Sequence, residues 1–229
     1  MLATVRIVIA STFLAVASLP AAAGVIMLTA IQDAGLRGDQ KNSTEGLDDK
    51  LLTRQSDQSY ALVQFDLSGI AAPILAATLR MEWHVSPVLN QGVQVWRFNL
   101  AWNETTVTWN NANGGSDPLS ATIGGALDAV NSPNLGGGVT TGTFAEWDIT
   151  SAAVGWQAGD FANHGVLLQS FAGATFLSFH SNEAIDGGTA PQLLVSVVDV
   201  SEPVSVATLG IVALGLFAAA KQKRCRGRN

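Results

Sequence analysis

The chain has 229 residues with 23 glycines, six tryptophans, one cysteine and a net charge of −6. All 18 acids fall between Asp33 and Glu202, where only six bases accompany them, so this middle carries −12; no Lys or Arg occurs between Arg97 and Lys221. Such a surface excludes nucleic acid as a partner, tolerates neutral glycans and attracts divalent cations. The lone Cys225 excludes an intrachain disulfide.

The N-terminal segment reads as an address. Arg6 precedes an apolar run from Ile7 to Leu19, then Pro20 and Ala21-Ala22-Ala23. Small residues at Ala21 and Ala23 fit a signal-peptidase site, predicting a signal peptide over 1–23 and a mature start near Gly24. The short apolar core disfavours a retained anchor. A single domain over 24–199 remains, long enough for a real core.

Val25 to Leu36 reads as extended and contains Asp33-Ala34. Residues 38–50 form an acidic stretch with Asp39, Glu45, Asp48 and Asp49, without the fixed ligand order of an EF-hand, which predicts a solvated loop. Ala61, Val63, Phe65 and Leu67 alternate with Leu62, Gln64 and Asp66, predicting a strand with one dry face. Ala77, Leu79, Met81, Trp83 and Val85 alternate with Thr78, Arg80, Glu82 and His84, the clearest period-two signal, predicting an antiparallel strand with one solvated face. Val93 to Trp102 mixes two faces, which predicts a bulge near Val95-Trp96.

The stretch Ala101 to Asn111 places Trp102 and Trp109 seven residues apart with Glu104 and three threonines between them. Trp and Thr favour half-buried extended backbone. One reading makes the indoles core plugs and Glu104 a buried acceptor of loop amides. The other makes Trp102, Glu104 and Trp109 a glycan platform, since an exposed indole face stacks on a pyranose ring.

Residues 110–142 are a long Gly-, Asn- and Pro-rich excursion, with a short strand expected near Ala121-Thr122-Ile123. Ala145, Trp147 and Ile149 return to strand. Then Ile149, Ala152, Ala153 and Trp156 recur at helical spacing, capped by Asp148 or Thr150 and ended by Gly159. Strands are expected at Val166–Phe171, Phe176–His180 and Gln192–Val198. Eight or nine short strands, one short helix and no βαβ alternation predict an all-β antiparallel sandwich of jelly-roll type.

The C-terminal segment is a second address. Ser201-Glu202-Pro203 precedes the apolar run 204–220 and a basic tail over 221–229. The run is just long enough to cross a bilayer as a transmembrane helix, with the tail cytoplasmic. Together these parts resemble the PEP-CTERM sorting signal of Gram-negative bacteria. That resemblance implies handling by a membrane exosortase and delivery to the outer surface or extracellular matrix after transient anchoring in the inner membrane. The motif departs at Ser201, where the family has Pro; a plain tail anchor is the alternative.

The central landmarks also occur in a telling order: Asp33-Ala34; Leu62 to Ser68; Ala77-Thr78-Leu79; Trp102-Asn103-Glu104 with Thr108-Trp109; Trp147 to Thr150; Trp156 to Gly159; Asn163-His164-Gly165; Ser181-Asn182-Glu183; Pro191-Gln192-Leu193. In this order they resemble the DNRLRE domain. That domain is related to disaggregatase-associated modules and to a carbohydrate-binding module family that includes alginate binders. The resemblance spans 25–198 and implies a non-catalytic jelly roll attached to surface proteins or polysaccharide-active enzymes. Many members carry Ser-Arg-Glu where this chain has Ser181-Asn182-Glu183; if that Arg grips an acidic sugar, Asn182 implies a preference for neutral glycans.

Catalysis finds little support. Glu104, Glu146 and Glu183 could pair for glycoside hydrolysis, but that needs two carboxyls at a defined separation. His164 and His180 are too few for zinc without cysteine partners, and no Gly-x-Ser-x-Gly elbow occurs. Asp33 and Glu183 lie near the two ends of the domain, which sandwiches bring together, so both are candidate ligands for a structural Ca2+. Three readings remain open: a glycan-binding surface module, a structural or adhesive matrix protein, and a polysaccharide-acting enzyme.

Overall fold

The computed structural model describes residues 23–85, 92–131, 142–171 and 176–198. Most of the expected signal peptide, with Ala21, lies outside the described residues. So do Ser201, Glu202, Pro203, the apolar run 204–220 and the basic tail. Among the described residues no helix is long and apolar enough to cross a membrane.

In chain order the elements are β1 (Ala23–Thr29), β2 (Gln32–Leu36), β3 (Lys50–Thr53), β4 (Tyr60–Gln64), β5 (Ile74–Val85), β6 (Gly92–Arg97), a 3-10 turn (Pro118–Ala121), β7 (Asp128–Asn131), β8 (Phe144–Asp148), α1 (Thr150–Ala158), β9 (Val166–Phe171), β10 (Leu177–His180) and β11 (Gln192–Val198). They form two antiparallel sheets. One runs β1-β11-β5-β10-β3, with β8 also pairing β5; the other runs β2-β4-β9-β6-β7. Ala23, expected at the end of the leader, opens β1 opposite Val198.

The main core lies between the sheets, with Leu79, Met81, Trp83, Trp147, Phe179, Leu193 and Val195 from one meeting Val63, Val93, Val95, Val166 and Leu168 from the other. Phe179 is its hub, with ring centroids 4.3 Å from Trp83 and 5.7 Å from Trp147. The Trp147 indole N–H donates to the Val93 carbonyl at 2.9 Å, which ties β8 to β6 across the layers. At about 25 cal/mol per Å2, burying an indole of roughly 200 Å2 contributes about 5 kcal/mol over leaving it in water.

A second core sits on the far face of the five-stranded sheet. Ala34, Leu36, Tyr60, Leu62 and Leu167 point outward there and are roofed by Phe98, Val107, Trp109 and Ala112, with Trp96 and Trp102 packed at its margin. This roof corrects two expectations. β4 has no wet face, because Ala61 and Val63 enter the main core while Tyr60 and Leu62 enter the second. β6 needs no bulge: its register with β9 is continuous from Gly92 to Arg97, and its two apolar faces feed two cores.

The wet face expected of β5 is partly dry as well. Glu82 is buried and accepts the amides of Gly142 and Thr189. His84 bonds Ser178 Oγ at 3.2 Å. The strand expected at 121–123 is instead the end of the 3-10 turn plus a lone bridge from Thr122 to Phe98, while the strand of that excursion is β7. α1 buries Ala152, Ala153 and Trp156 as the spacing predicts. Ile149 occupies its N-cap, with Asp148 Oδ1 accepting the Thr150 amide at 2.9 Å, and Gly159 closes it in the left-handed conformation at φ 75°.

Candidate functional site

Three carboxylates converge where β2, the loop after β6 and the turn after β10 meet. Ligand atoms of Asp33, Glu104 and Glu183 all lie within 4.8 Å of one another. Asp33 is set by the β2 ladder opposite Val63 and is 1% exposed. Its Oδ2 accepts the Asn182 amide at 2.9 Å, and its own amide donates to Glu104 Oε1 at 2.8 Å.

Glu104 is held by a turn in which Asn103 Oδ1 accepts the Thr105 amide and the Asn103 carbonyl accepts the Val107 amide. Gln32 straps this turn to β2, accepting the Glu104 amide at 3.3 Å and donating to the Trp102 carbonyl at 3.4 Å. Gly46 allows the acidic loop to lie directly on it, since a Cβ there would sit 2.0 Å from the Glu104 carbonyl oxygen. Glu183 is placed through Ser181, whose hydroxyl accepts the Glu183 amide and donates to the Asp48 carbonyl at 2.6 Å.

The cluster lacks internal compensation. Asp33 Oδ1 and Glu183 Oε2 are buried with no hydrogen-bond donor among the described residues. Burial first, then the charges of Glu183 and Glu104, push the Asp33 carboxyl up to about 8 against the pull of the Asn182 amide. Burial and then Glu104 also raise Glu183. In the nearby acidic loop the carboxylates have cationic partners: Arg37 clasps Asp39 with two bonds of 2.8 Å and lies 3.8 Å from Glu45, whose carboxyl burial still raises, while Arg54 holds Asp57 and Asp39. Most of that loop is solvated, as its composition suggests, with Asp39 and Asp48 exposed and Glu45 turned inward beside Arg37.

The two tryptophans expected to act with Glu104 both have their indole N–H groups engaged elsewhere. Trp109 is 4% exposed, donates its N–H to the Gln58 carbonyl at 2.9 Å and carries the Lys41 ammonium 3.7 Å from its ring centroid. It is a core plug, as the first of the two readings has it. Trp102 is half-buried, its N–H given to the His164 carbonyl at 2.9 Å. It lines an open groove of about 340 Å3 together with Ala101, Asn103, Thr106, Val107, Asn111 and Ala112. Asn103, Thr106 and Asn111 escaped the sequence reading, since lone amides and hydroxyls in a loop have no periodic signature.

None of the three carboxylates lines this groove. They face one another, and Glu146 is engaged at the surface by Arg80 at 3.4 Å. Asn182, at the position from which a neutral-glycan preference was expected, is exposed and contributes its backbone amide to Asp33.

No curated protein matches the chain. A family model described as carbohydrate-binding module family 96 matches residues 25–197, from β1 to β11 and so the whole sandwich with its groove and carboxylate cluster. The chain belongs to carbohydrate-binding module family 96.

Proposed function

We propose that this protein is a non-catalytic glycan-binding module of jelly-roll type, displayed on the outer surface or in the extracellular matrix of a Gram-negative bacterium. The Trp102 groove is the observation that supports the binding reading. It pairs a half-exposed indole with the polar side chains of Asn103, Thr106 and Asn111 in an open, shallow channel suited to a chain rather than an enclosed small molecule. The excess of acid over base in the middle of the chain disfavours polyanions and favours neutral polysaccharide. Delivery follows from the signal peptide at 1–23 and from exosortase handling of Ser201-Glu202-Pro203 with the apolar run 204–220.

A glycan array probed with the full-length protein, followed by affinity electrophoresis on the hits, tests this. Trp102→Ala is expected to weaken binding at least about tenfold, the ~1.4 kcal/mol or more that truncating an anchoring aromatic costs. Binding unaffected by Trp102→Ala, in a variant that still melts cooperatively, would move the site elsewhere. A second reading, a structural matrix protein with no specific ligand, is favoured by the burial of Trp83, Trp109, Trp147 and Trp156 in the cores. An array without hits would select it.

A further inference from the structure

We propose that Asp33, Glu104 and Glu183 form a Ca2+ site that staples the two sheets to each other and to the loop lining the Trp102 groove. The three side chains come from separate segments. Asp33 lies on β2 of the five-stranded sheet, Glu104 follows β6 of the same sheet, and Glu183 follows β10 of the other. Their ligand atoms lie within 4.8 Å of one another, a span that two Ca–O bonds of about 2.3–2.6 Å bridge.

Proximity of acids alone would mean little. Here Asp33 is 99% buried with a carboxylate oxygen turned into the cluster, and its Oδ1 and Oε2 of Glu183 have no donor among the described residues. A buried carboxylate oxygen without a partner is costly unless something positive meets it. The nearby guanidiniums are committed elsewhere: Arg37 to Asp39 and Glu45, Arg54 to Asp57 and Asp39. The donor set is all oxygen, with no imidazole or thiolate, which selects a hard cation over zinc or copper. Three carboxylates leave further positions of a 6–8-coordinate ion to water.

The proposal does not depend on glycan binding, and its test does not read glycan binding. Full-length protein stripped with EDTA is melted with and without added Ca2+. At about 100 times Kd, Ca2+ is expected to raise Tm by about 5–10 °C. Glu183→Gln, at a half-exposed position, should fold and lose that shift, as should Asp33→Asn.

Tb3+ luminescence sensitised by tryptophan gives a second reading at a temperature where every variant is folded. It should appear in the wild type, be displaced by Ca2+, and be absent in Glu183→Gln. An unchanged Tm together with no displaceable Tb3+ signal at millimolar Ca2+ would overturn the site. An equal shift with Mg2+ would overturn its assignment to Ca2+.

Discussion

Stripped of cations, the Asp33 cluster should make this protein less stable as pH rises, and one substitution should abolish most of the effect. Unfolded, the Asp33 carboxyl loses its proton near 3.8; folded, it holds the proton to about 8. Between those values the native state binds the extra proton, so stability falls with rising pH, by about 1.4 kcal/mol per unit. The contribution is present in full below about pH 4 and is gone above about pH 8. The interval of roughly four units amounts to about 5–6 kcal/mol. Glu183, also raised, acts in the same direction.

Asn at position 33 can still accept the Asn182 amide but has no proton to lose. In EDTA at pH 8, Asp33→Asn should therefore exceed the wild type by up to about 5 kcal/mol, or about 10–20 °C in Tm for a domain of this size. Near pH 4 the two should converge. Urea unfolding followed by tryptophan fluorescence across pH 4–8.5, with m unchanged, measures the difference. Parallel pH profiles for the two proteins would show that Asp33 does not hold the extra proton in the folded state. With saturating Ca2+ the order at pH 8 should narrow or invert, because only the wild type gains from the ion.

Other perturbations probe the supports of the same region. Gly46→Val drives a Cβ to 2.0 Å from the Glu104 carbonyl oxygen, so Glu104 must move; the sandwich should persist by circular dichroism while the Ca2+-dependent Tm shift disappears. Tyr60→Phe removes the 2.9 Å hydrogen bond that the buried hydroxyl donates to Asp117 Oδ1, and should lower stability by about 1.5–3 kcal/mol in urea. Gly159→Ala forces a Cβ onto the φ 75° cap of α1 and should cost about 1 kcal/mol by the same assay. Cell fractionation with protease shaving should find the domain outside the cytoplasm; an intact cytosolic pool would refute the sorting proposal.

Much of the fold was legible because alternation along a strand and the 3.6-residue stripe along a helix follow directly from backbone geometry. The β5 pattern around Leu79, Met81 and Trp83 and the Ile149–Trp156 stripe both locate elements the structure contains. The approach of Asp33 to Glu183 was also accessible, since a sandwich brings its ends together. Three things were not. The roof of residues 98–112 turns a strand face expected to be wet into a second core, and periodicity tells which side is apolar but not what covers the other side. Trp102 and Trp109 look alike in sequence, yet one lines a groove and the other is sealed under Lys41.

Glu104 reads from its neighbours as part of a sugar platform, while its carboxylate is turned to Asp33, 71 residues away. Residue types, periods and charge balance are local or summed quantities, and they suffice to give an acid-rich, all-β domain. Which carboxylates meet, and which indole keeps a face to solvent, depends on loops closing across the sheets between residues 71 to 149 apart. Such contacts are set by the sheet topology and not by the residues beside them in the chain, so they emerge once the two sheets pack.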